Sequence, residues 1–110
     1  MQTKHGFEVV RIDEQVSPSG ASQVIWNVHP PVRWGADYDN DGAPEGETVY
    51  VMTSAVFVSF SGDETYIFPC DKKGEWLDAM EMPGSFKGGL DHETAIMGLN
   101  HSDYWKSDNA

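Results

Sequence analysis

The chain has one cysteine, Cys70, in 110 residues. A lone thiol excludes an intrachain disulfide and a CxxC metal pair, and with them the disulfide-dense scaffold of small secreted domains. Long apolar runs are missing as well. Nowhere do eighteen apolar residues follow one another, and the opening MQTKHGFEVV lacks the apolar stretch of a signal peptide. These absences lead us to expect a cytoplasmic protein in a reducing setting, with no membrane association. Basic residues are scarce, seven Lys and Arg against eighteen Asp and Glu, for a formal charge of −11. Such a surface repels a phosphate backbone, which argues against direct nucleic-acid binding, and it attracts a basic partner. There is no G-x-S-x-G, no HExxH, no dinucleotide fingerprint and no phosphate loop of Walker register, since Gly84-Ser85-Phe86-Lys87-Gly88-Gly89 lacks that spacing. No cofactor is expected.

Aromatics, by contrast, are plentiful. Four Trp, four Tyr and five Phe are too many for a disordered chain of this length, and residues 1–110 read as a single domain with one modest core. The stretch from Glu47 to Pro69 organises it. Tyr50, Met52, Val56, Val58 and Phe60 share one parity while Val49, Val51 and Phe57 fill the other. A strand apolar on both parities is covered on both sides, and the turn Ser61-Gly62-Asp63-Glu64 returns it into Thr65–Pro69 as a hairpin. Phe57 is expected in the core. Gly6–Asp13 and Gln23–His29 read as two earlier strands, the second ended by Pro30-Pro31, neither of which has an N–H to give to a ladder.

Asp91–Asn100 is the helix candidate. Asp91 stands at the N-cap, Glu93 in the first turn, and Ala95, Ile96 and Leu99 fall on one stripe. Ten residues do not hold a helix alone in water, so the stripe must pack on a sheet. Asp71–Gly74 is a tight turn, and Glu75–Met80 reads as a short fifth strand or one helical turn. The predicted class is α+β: an antiparallel sheet of four to five strands with one short C-terminal helix on one face. Residues 1–5 and 106–110 are expected to fray. Because one short helix cannot cover a whole sheet, either a homodimer or the segment 31–47 is expected to cover the remainder.

Residues 31–47 show no periodic pattern and read as a long acidic loop. Asp37-Tyr38-Asp39-Asn40-Asp41-Gly42 places carboxylates at alternate positions, as a calcium loop does. The twelfth position counted from Asp37 is Thr48 where an EF-hand needs a bidentate Glu, so an EF-hand is rejected, and a looser Asp-lined cation site remains as the alternative. Of the four histidines, His5, His29, His92 and His101, His92 is the best general-base candidate, beside Asp91 and Glu93. A Cys70–His92 nucleophile pair is a minor reading, since Asp71 raises a neighbouring thiol's pKa.

Three functions are expected, in order of preference. The first is a small acidic, non-enzymatic interaction protein, an inhibitor or adaptor that binds a basic protein surface, including that of a nucleic-acid-binding protein. Its contacts are Trp34, Asp37, Tyr38, Asp39, Asp41 and Glu45 in the loop, with Trp76 and Trp105 beside them. Small size and charge suit an accessory protein of a phage or mobile element, by analogy alone. The second is a metal-assisted hydrolase with Asp37, Asp39 and Asp41 on the ion and His92 as base. The third is a structural or assembly role.

Overall fold

The computed structural model describes residues 1–35, 45–58, 62–77, 81–83 and 91–102, without the side chains of residues 45, 57, 58 and 63. Four strands, β1 (Glu8–Val16), β2 (Ser22–Gly35), β3 (Glu45–Val58) and β4 (Gly62–Pro69), pair antiparallel in the order β1-β2-β3-β4. One helix, α1 (His92–Met97), completes the described elements. The meander and the C-terminal helix are as expected from the sequence. A fifth strand is absent among the described residues, where Trp76 makes only an isolated bridge to Cys70.

The two central strands are apolar on both parities because both sheet faces are covered. On the helix face Val24, Trp26 and Val28 of β2, Val51 of β3 and Ile67 of β4 are buried with Val9 of β1 under Ala95, Ile96 and Leu99. The helix starts at the expected cap: the Asp91 carboxylate accepts from the amides of Glu93 (3.1 Å) and Thr94 (3.2 Å). On the opposite face Ile25, Met52 and Cys70 form a second, smaller cluster with Tyr50 packed against it. Among the described residues its cover is the turn at Asp71–Gly74. A Cβ on Gly74 would stand 2.9 Å from Ile25 Cδ1 and 3.1 Å from Met52 Cε, and its φ is +89°. Both the turn and the close approach therefore require glycine.

Two expectations need correction. Pro30-Pro31 does not end the second strand, because β2 runs on to Gly35. The β2–β3 ladder breaks instead, from Asn27 opposite Tyr50 to Val32 opposite Thr48. Within the break Val28 and His29 pair with Val9 and Glu8 of β1, and the prolines occupy positions where no ladder asks for an N–H. Beyond them Val32 and Trp34 turn inward and Arg33 outward, the alternation of a strand. The described parts of segment 31–47 thus belong to a hairpin arm, β2 residues 32–35 against β3 residues 45–48, with Gly35 paired to Glu45. The Trp34 indole lies over Gly46, where a Cβ would be 3.2 Å from the ring, so the small residue makes room for the large one.

The second correction concerns the N-terminal residues, expected to fray. They fold back along β1, with Val9 N–H donating to Met1 O (2.8 Å), Thr3 N–H to Phe7 O (2.7 Å) and Lys4 N–H to Met97 O (3.0 Å). Where β1 ends its pairing at Glu8, the chain after α1 takes its place beside the arm. Ser102 donates from N–H to Arg33 O and from its hydroxyl to Gly35 O, both at 2.9 Å. The Arg33 amide donates to His101 Nδ1 at 3.0 Å. The arm is thereby held from both sides. Phe57 pairs with Asp63 through its backbone, and its side chain lies outside the described residues.

Trp34, only 9% exposed, is a core residue of the arm and not an exposed contact. Trp34→Ala should lower unfolding stability by about 3–5 kcal/mol through lost transfer and cavity terms. Urea denaturation checks this, and an unchanged midpoint would remove Trp34 from the core.

Candidate functional site

Asp37, Tyr38, Asp39, Asp41 and Trp105 lie outside the described residues, as does the Glu45 side chain, whose backbone closes the arm. Among the described residues no group of three His, Cys, Asp or Glu is placed to hold a metal ion. Cys70 and His92 sit on opposite faces of the sheet, which removes the nucleophile pair. Burial, with the Asp71 carboxylate adding to it, pushes the Cys70 thiol up to about 12, so it stays protonated and unreactive at neutral pH.

His92 begins α1 and reaches down onto the sheet. Its Nδ1 is 2.8 Å from Thr53 Oγ1 and its Nε2 is 3.1 Å from Ser22 Oγ. Thr53 Oγ1 also accepts from the Trp26 indole N–H at 2.9 Å. Both ring nitrogens thus engage hydroxyls, and the arrangement clamps the start of the helix to β2 and β3. Nothing in the sequence marked Ser22 or Thr53. Thr53 is a polar residue at an inward position of a central strand, and its meaning appears only once Trp26 and His92 converge on it.

A groove of about 450 Å³ opens on the other face, at the root of the arm. Val49, Tyr50 and Leu77 supply apolar wall, and Glu47 and Asp71 stand on its rim. Thr48 stiffens the floor, its hydroxyl donating to Cys70 O at 3.0 Å while it accepts from Tyr50 N–H at 3.0 Å. Trp76 comes just before Leu77 in sequence. It stacks on Phe68 with centroids 3.9 Å apart and donates from Nε1 toward Met52 Sδ at 3.2 Å, yet stays 45% exposed. An aromatic held rigid on one side and open on the other is the type of residue that interfaces favour. Trp76 is thus partly exposed, whereas Trp34 is an internal strut. The groove itself escaped the sequence because its walls come from β3 and from the chain after β4, brought together only by the ladder.

No helix among the described residues is long and apolar enough to cross a membrane. Comparison with known proteins found no matching family model, no similar curated protein and no similar solved structure.

Partial burial, with Arg11 adding to it, holds the His92 pKa below the ordinary 6.5. Asp91 and Glu14 oppose that shift, as does a hydrogen bond to Thr53. The folded state thus prefers the neutral ring. Its contribution is complete above the unfolded value near 6.5 and is lost as pH falls from there through the depressed folded value. Asp91, held below its ordinary 3.8 by its bonds to Thr94, acts only at still lower pH. Unfolding stability measured from pH 7.5 to 5 should fall in the wild type and flatten in His92→Gln. Parallel curves would show that His92 does not titrate between the two states.

Proposed function

We propose that this protein is a small, acidic, non-enzymatic interaction protein that presents the tip of the β2–β3 arm to a basic protein surface, as an inhibitor or adaptor would. One observation carries the reading. The arm is closed at Gly35–Glu45, filled by Trp34 over Gly46, and tied along its flank by His101 and Ser102. Such a rigid base is suited to carrying the segment between its two strands. That segment, residues 36–44, contains Asp37, Asp39 and Asp41 and no basic residue. Loops on rigid scaffolds are where recognition residues concentrate. A total charge of −11 adds a long-range field of the same sign.

The charge of the whole chain steers approach, and the tip sets where the partner lands. Binding of this kind has a kinetic signature, an association rate that falls steeply with added salt. The test is affinity capture from the native cell, then association kinetics of the captured basic protein at two salt concentrations. Reversing Asp37, Asp39 and Asp41 together to Lys should slow association by at least about tenfold at low salt and leave the melting temperature unchanged. Wild-type kinetics in that variant would take the arm tip out of the interface.

A further inference from the structure

The groove at the arm root has a shape and a charge that specify an occupant. Its walls at Val49, Tyr50 and Leu77 are apolar, which suits a hydrocarbon stem, and Tyr50 adds an aromatic ring. Its rim carries two carboxylates. Asp71 accepts from the amides of Lys73 (2.8 Å) and Glu75 (3.0 Å), and both bonds land on Oδ1. Among the described residues no hydrogen bond reaches Oδ2. Glu47 faces the same opening and bridges Arg33 at 3.3 Å in an exposed pair, the kind of pair that contributes little and exchanges readily. Among the described lining residues Lys72 is the one opposing charge, exposed and on a flexible stem.

We infer that this groove binds an arginine side chain of the basic partner. The stem lies along Val49 and Leu77, and the guanidinium reaches Asp71 Oδ2 and the Tyr50 ring. Arginine suits the place better than lysine. Its planar head is weakly hydrated, stacks on aromatic rings and offers paired donors to a carboxylate. The inference rests on the interaction reading above and extends it to a second point of contact, since Glu47 and Thr48 belong both to the arm and to the groove.

The test is a titration of the isotopically labelled full chain, followed by amide chemical shifts, with Nα-acetyl-arginine amide and its neutral citrulline analogue as probes. The expected result is shifts at Thr48, Val49, Tyr50, Asp71 and Leu77 with a dissociation constant on the order of 1 mM, and none with citrulline. Asp71→Asn keeps Oδ1 as an acceptor for both turn amides and so keeps the turn. It should weaken the arginine probe about two- to fivefold, and Lys72→Gln should tighten it by a similar factor. Unchanged melting temperatures show that both variants fold. Equal binding of citrulline, shifts outside the groove, or affinities that ignore both variants would overturn the proposal. Its failure is distinguishable from failure of the interaction reading, which shows separately as wild-type association kinetics in the arm-tip reversal.

Discussion

Everything in this molecule depends on covering two central strands on both faces. β2 and β3 pair along two runs, Ser22–Asn27 with Tyr50–Ala55 and Val32–Gly35 with Glu45–Thr48. Inward side chains of opposite parity demand different covers. On one side Val24, Trp26 and Val51 are met by α1, a helix of six residues that is too short to form without them. On the other, Ile25 and Met52 are met by a turn whose only means of approach is Gly74. Neither cover exists independently of the sheet, and the sheet would expose its core without either.

A polar group buried under such covers must find partners, and the core polar residues do so in ways that fix the tertiary arrangement. Thr53 joins Trp26 to His92 and thereby fixes where α1 lands. Thr48 joins β3 to the chain leaving β4 and thereby shapes the floor of the groove. Leaving any one of these groups unpaired costs more than the bond contributes, about 1–3 kcal/mol for a buried donor or acceptor, so they act as selectors of one packing over its neighbours. The helix clamp and the groove are thus made by the same means on opposite faces.

The acidic excess plays little part in that selection. The ion pairs among the described residues, such as Arg11–Glu14 at 2.6 Å, are exposed and contribute little to stability. In the interaction we propose, charge matters for encounter, which is where the arm and the groove at its root come together. One carries carboxylates beyond a rigid base, and the other places carboxylates around an apolar slot.

Much of the fold was legible in the residues. Double-parity apolar patterning over Val49–Val58 determined a strand covered on both sides, because side chains alternate with a period of two. Asp91 with Ala95, Ile96 and Leu99 determined a capped helix and its buried stripe, because both depend on neighbours within one turn. Composition alone excluded an intrachain disulfide and determined the sign of the net charge. Tertiary structure decided the rest. Pro30-Pro31 looks like a strand end because proline cannot donate. It ceases to be one when the β2–β3 ladder resumes at Val32 opposite Thr48, which no local window contains. Trp34 looks like an exposed loop aromatic until Gly46, twelve positions away, is laid beneath it. His92 looks like a free base until Thr53 and Ser22 occupy its two ring nitrogens. In each case the deciding contact is made by residues distant in sequence and adjacent only through strand register, which the hydrogen-bond ladder of the folded chain sets.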